Sequence, residues 1–177
     1  MEPPVAPLDS QHPLWRRIDS ATENEARALL RTCCGATRWI ERMLARRPFG
    51  GRDAIQAAAR AEWWALGPDD WREAFGHHPR IGDREALRAR FGDAGDIPGR
   101  EQAGVAGAAA GVLDALAEGN RAYEARFGYI FIVCATGKRA EEMLGMLQTR
   151  LRHGPDKEIR IAAEEQARIT ALRLDAS

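Results

Sequence analysis

Four histidines occur in the chain, and two of them, His77 and His78, stand together between a helix-ending glycine and Pro79. Imidazole is the side chain best matched to proton transfer near neutral pH, and irregular backbone is where catalytic side chains are commonly displayed. The residue before a proline is pushed out of the α region, so His78 is expected in extended backbone between two helices. His12 and His153 read as tail and surface residues. A carboxylate and an amide, Glu101 and Gln102, fall in the first turn of a predicted long helix, where free N–H groups and the positive end of the dipole suit negative charge. The stretch that follows, AGVAGAAAG over 103–111, has almost no side-chain volume and leaves room for a flat ligand. Farther on, YIFIVCA over 129–135 is an apolar run bounded by Gly128 and Gly137, too short for an independent helix. Its buried N–H and C=O groups need partners, which either protein groups or a bound polar ligand can supply.

Other chemistries find little support. His77, His78 and Asp83 lack the spacing of a metal site, and the adjacent Cys33 and Cys34 lack the spacer of a zinc knuckle, so no metal is expected. The glycines match neither a phosphate loop nor a dinucleotide fingerprint. Cys33, Cys34 and Cys134 read as buried thiols in a reducing cytoplasm. Arg173 is one arginine among 24, and nothing local selects it. Trp39, Trp63, Trp64 and Trp71 read as core or interface residues.

The elements that must hold these groups are helices. The 177 residues include 32 Ala and 24 Arg but only 20 Val, Ile and Thr together, a balance that disfavours a large sheet. With 26 basic residues cancelling 26 acidic ones, net charge gives no reason to expect nucleic acid as partner. The acidic, proline-bearing start does not resemble an export signal, and no apolar run approaches the roughly 20 residues of a membrane span. The expected architecture is all-α, a single-domain multi-helix bundle over 21–177 with one short buried extended segment near 129–135, preceded by an extended arm over 1–20. Predicted helices cover 23–34, 38–46 capped by Thr37, 52–66, 71–75 closed by a left-handed Gly76, 84–91 capped by Asp83, 100–127 with a possible break at Gly119-Asn120, 138–152 and 156–174.

In order along the chain stand C-C-G-x-x-R-W (33–39), R-P-F (47–49), A-F-G-x-H-P-R-I-G-D (74–83), R-E-Q-A-G (100–104), N-x-x-Y-x-x-R-F-G-Y-x-F-I (120–132) and I-T-x-L-R-L (169–174). This succession resembles the 2-oxo-4-hydroxy-4-carboxy-5-ureidoimidazoline (OHCU) decarboxylases of urate degradation. The resemblance implies a helical, usually homodimeric, cofactor-free enzyme that releases CO2 and (S)-allantoin. Carried over by motif, it implies His78 and Glu101 as catalytic residues. Pro79, Gln102, the backbone of Phe131, Ile132, Val133, Cys134 and Ala135, and Arg173 are then substrate contacts. One departure is plain: the family often places Ser three residues before the Glu, and Pro98 stands there in this chain. A related acid/base enzyme on another ureide or hydantoin, and a non-enzymatic helical binding module, stay open as alternatives.

Overall fold

The computed structural model describes residues 12–78 and 100–175, with the backbone alone over 100–109. Eight helices are present among the described residues, and no strand. They are α1 Leu14–Ser20, α2 Glu23–Cys33, α3 Thr37–Ala45, α4 Arg52–Trp64, α5 Pro68–Gly76, α6 Arg100–Phe127, α7 Ala140–Arg150 and α8 Pro155–Asp175. The all-α expectation holds. The chain divides into two compact units, one of Met1–His77 with Ala163–Ser177 and the other of His78–Ala162.

In the first unit, α3 packs against α2, α4 and α5, and α1 against α2. The arm expected to stay extended through residue 20 is helical from Leu14, because Leu14 and Ile18 are four residues apart and both buried. Thr22 starts α2 with a reciprocal capping box: its hydroxyl accepts from the Glu25 N–H, and the Glu25 carboxylate accepts from the Thr22 N–H at 2.9 Å. The Thr22 hydroxyl also donates to that carboxylate at 2.8 Å, and this bond, with the one from the Thr22 N–H, holds the Glu25 carboxyl below its ordinary range. The core is built on tryptophans whose indole N–H groups all reach carbonyls, Trp39 to Ala59, Trp63 to Ala163 and Trp71 to Trp63. Trp64 departs from that pattern, being 40% exposed.

Two boundary expectations change. Thr37 is the first residue of α3 rather than its cap, its hydroxyl being committed to Glu73. Gly76 is not left-handed, and α5 runs through it to a right-handed cap at His77.

In the second unit, α6 and α7 pack together. Helix α6 is continuous through Gly119 and Asn120, where the Asn120 amide bonds back to the Leu116 carbonyl at 2.9 Å. A Cβ on Gly119 would lie 2.6 Å from Leu147 Cδ2, so the glycine is a point of close approach to α7. Gly128, with φ of +78°, ends α6 as expected. Residues 131–134 are then buried and belong to neither a helix nor a strand, so an extended segment is not confirmed there. The expected helix 84–91 and its cap Asp83 lie outside the described residues. Among the described residues, no helix is long and apolar enough to cross a membrane.

Candidate active site

The first unit turns sharply between α2 and α3. Cys34 is extended, with φ of −148° and ψ of 129°, and Gly35 follows. A Cβ on Gly35 would lie 2.3 Å from Cγ and Cδ2 of His77 and 2.5 Å from its Cβ. Only a residue without a side chain lets the end of α5 come so close. A second tie reinforces the first: the Glu73 carboxylate accepts from the Thr37 N–H at 3.1 Å and from its hydroxyl at 2.6 Å. This places negative charge at the N-terminus of α3, where the dipole favours it. His77 is therefore fixed by its contact with Gly35, and His78 is the next residue along the chain, half-buried.

Arg173 meets the same corner from α8. Its Nη1 donates to the carbonyls of Thr32 at 3.2 Å and Cys33 at 3.3 Å, and the Thr170 hydroxyl donates to Cys33 at 3.4 Å. These carbonyls close α2, the end of a helix that attracts a cation. The cysteines of the corner are unsuited to nucleophilic work. Burial pushes the Cys33 thiol up to about 11 and that of Cys34 up to about 12, as expected for structural thiols.

The second unit supplies the irregular segment. Phe131, Ile132, Val133 and Cys134 are buried and Ala135 half-buried. Three carbonyls of the segment have donors: Ile132 from Arg150 Nη1 at 2.7 Å, Cys134 from Lys138 Nζ at 2.6 Å and Ala135 from the Lys138 N–H at 3.1 Å. The N–H groups of Ile132 and Val133 have no acceptor among the described residues. Buried backbone donors are nearly always satisfied, so two adjacent ones without partners mark a surface suited to hydrogen-bonding a polar molecule.

Behind this segment lies a buried cluster that the sequence reading missed. Arg150 and Glu158 form an ion pair, 4% and 0% exposed, and Tyr123 donates its hydroxyl to the same carboxylate. Burial raises the Tyr123 phenol far above its ordinary value. His153, expected at the surface, places Nδ1 2.8 Å from Glu158 Oε2. The available signal was Glu158 itself, four residues before Ala162 on the apolar stripe of α8, where a carboxylate requires a partner.

The remaining expected residues divide by unit. Arg173 belongs to the first, while His78, Glu101, Gln102 and Phe131–Ala135 belong to the second. Glu101 and Gln102 occupy the first turn of α6, as read from the sequence, and their side chains lie outside the described residues together with Pro79 and Pro98. A groove of about 530 Å³ in the first unit, lined by Gln56, Arg60, Trp63, Trp64, Arg168 and Ala171 among others, contains none of the expected site residues. Among the described residues, no cluster of three or more His, Cys, Asp or Glu side chains is placed to hold a metal ion.

The sequence pattern of the OHCU decarboxylases spans residues 19–175, and the chain belongs to that family. It is 35% identical over 144 residues to the uric acid degradation bifunctional protein TTL of Arabidopsis thaliana, covering 81% of this chain and 44% of that one. It is 34% identical over 97 residues to the 2-oxo-4-hydroxy-4-carboxy-5-ureidoimidazoline decarboxylase of Amia calva, covering 55% of each. The chain thus spans about half the length of these curated relatives. A crystal structure of OHCU decarboxylase in the presence of (S)-allantoin superposes with a TM-score of 0.67 at 30% identity, covering 87% of this chain and 96% of that one. A crystal structure of (S)-allantoin synthase, 18% identical with a TM-score of 0.63 and covering 90% of this chain and 52% of that one, shares the fold.

Proposed function

We propose that the chain is a cofactor-independent carboxy-lyase that converts 2-oxo-4-hydroxy-4-carboxy-5-ureidoimidazoline to (S)-allantoin in urate degradation. It acts as one decarboxylase domain over 21–177 and as a cytoplasmic homodimer. The observation that carries this reading is the match to nearly the whole length of a decarboxylase crystallised with (S)-allantoin. The adjacent N–H groups of Ile132 and Val133, which have no acceptor among the described residues, give it a physical basis, since the substrate is rich in carbonyl oxygens.

Loss of CO2 leaves an electron pair that the conjugated ring of this substrate can itself accept, so the protein's task is to supply position and protons. His78 hydrogen-bonds the 4-hydroxyl or the carboxylate and turns the carboxylate out of the ring plane. The apolar wall disfavours the carboxylate's charge, which passes into the conjugated ring as neutral CO2 leaves. Glu101 helps deliver the proton to one face, which sets a single enantiomer. Pro79 lies beside the substrate, Gln102 and Arg173 hold the ureido and ring carbonyls, and the backbone from Phe131 to Ala135 receives the rest.

The test uses substrate made freshly from urate and follows allantoin by circular dichroism. His78→Asn lowers turnover by about 10² to 10⁴, the range of general acid/base help, with thermal stability nearly unchanged. Glu101→Ala leaves slow turnover with weakened stereocontrol. Wild-type turnover in the first variant, or a fully stereospecific second one, ends the assignment of that residue. Pro98 in place of a serine hydroxyl favours a second reading, the same chemistry on a related ureide. Rapid turnover of that ureide with none of the ureidoimidazoline identifies it.

A further inference from the structure

The buried cluster of the second unit takes no part in the chemistry just described, yet it touches the segment that does. Arg150 sends Nη1 to the Ile132 carbonyl at 2.7 Å, while Nε and Nη2 both lie 2.6 Å from Glu158 Oε1 and Nη2 also donates to the Tyr123 hydroxyl at 3.3 Å. Its guanidinium also lies over the Phe131 ring, 4.6 Å from the centroid. Glu158 is held in turn by Tyr123 and His153. Every one of these contacts ends either on residues 131–132 or on a group that holds Arg150.

For helix packing alone a buried ion pair is a poor choice, because apolar residues of similar volume often serve as well or better. What an arginine adds is a charged donor aimed at one carbonyl. In a planar trans peptide the C=O and the following N–H point in opposite directions. With the Ile132 carbonyl fixed toward Arg150, the Val133 N–H is therefore aimed away from it, and that N–H has no acceptor among the described residues.

We propose that Arg150 is a positioning residue: by holding the Ile132 carbonyl it aims the Val133 N–H as a donor to a carbonyl oxygen of the bound ureide, while Tyr123 and Glu158 hold Arg150 itself. This rests on the reading of residues 131–135 as the ligand-binding wall. Carbonyl oxygens are present in substrate and product alike, so loss of the donor falls on binding rather than on the chemical step.

Arg150→Lys in the full chain keeps the charge and the aliphatic stem but loses the planar fork. KM for the ureidoimidazoline and the calorimetric Kd of (S)-allantoin rise together by about tenfold, the worth of one hydrogen bond, with kcat within about threefold. Amide exchange over 131–135 accelerates while α2 to α5 exchange as before. A purely structural role gives the reverse, a smaller active fraction that lowers kcat with KM and Kd unmoved, and that result overturns the proposal. Should this variant fail to fold by circular dichroism, Arg150→Met with Glu158→Gln removes both buried charges and is judged by the same measurements. A wild-type chain that neither turns over the ureidoimidazoline nor binds (S)-allantoin removes the functional reading instead. Exchange over 131–135 then decides the anchoring by itself: acceleration in the variant supports it, and unchanged exchange overturns it.

Discussion

The corner between α2 and α3 and the segment between α6 and α7 are both short, irregular and largely buried; both receive a charged donor, and only the corner depends on a close approach at a glycine. At the corner an atom is missing: Gly35 has no Cβ, and His77 occupies the space. In the segment the holding groups are charged donors, Arg150 on Ile132 and Lys138 on Cys134. The difference follows from what flanks each stretch. The corner is a few residues long with helices pressed against it, so close fit at Gly35 is added to the hydrogen bonds that Arg173 and Glu73 make there. The segment from 129 to 135 has no neighbouring strand among the described residues to take up its carbonyls, and side chains reach in to satisfy them. One device breaks when an atom is added and the other when a charge is removed.

The largest effect is expected where a charge is removed alone. Arg150→Met strands Glu158 and the Ile132 carbonyl in the interior and costs about 3 to 5 kcal/mol of stability by urea unfolding. A loss below about 1 kcal/mol, the scale of an exposed pair, removes the contrast with the corner.

Adding an atom comes next. Gly35→Ala forces overlap with the ring and Cβ of His77 and costs about 1 to 3 kcal/mol, as overpacking does. The remedy is specific. His77→Ala keeps the offending Cβ and does not rescue Gly35→Ala, whereas His77→Gly does. Equal rescue by both shows that the ring alone is the obstacle.

The smallest effect concerns the corner thiols and appears only in alkali. Their pKa values are raised in the fold by burial, to about 11 for Cys33 and about 12 for Cys34, against an ordinary 9.0. An unfolded chain releases these protons from about pH 9 while the folded chain keeps them, so this contribution is complete below pH 9 and fades as pH rises through the folded values. At about pH 8 a thiol-specific disulfide reagent leaves both cysteines unmodified in the native chain and titrates both in urea. Native-state labelling of either one places it at the surface.

Much of this architecture was legible from composition and punctuation. Ala, Arg and Leu outweigh β-branched residues, glycines and prolines mark the helix ends, and the described residues form eight helices and no strand. The misreadings share a cause. Leu14 and Ile18 were hidden behind a proline-rich start, Thr37 looked like a cap until Glu73 claimed its hydroxyl, and His153 looked like a surface residue until Glu158 faced it. In each case the deciding partner or pattern extended beyond the local sequence signal that had been followed.

The sequence by itself determined the helical class, the family and the order of the motifs that carry His78, Glu101, Gln102 and Arg173, because periodicity, capping and spacing are local properties. Only the tertiary structure decided that Gly35 must lack a side chain, that Arg173 closes α2, and that a buried Arg150 secures the Ile132 carbonyl. Those facts join residues far apart in the chain, through a close approach at Gly35 and hydrogen bonds whose direction no linear pattern records.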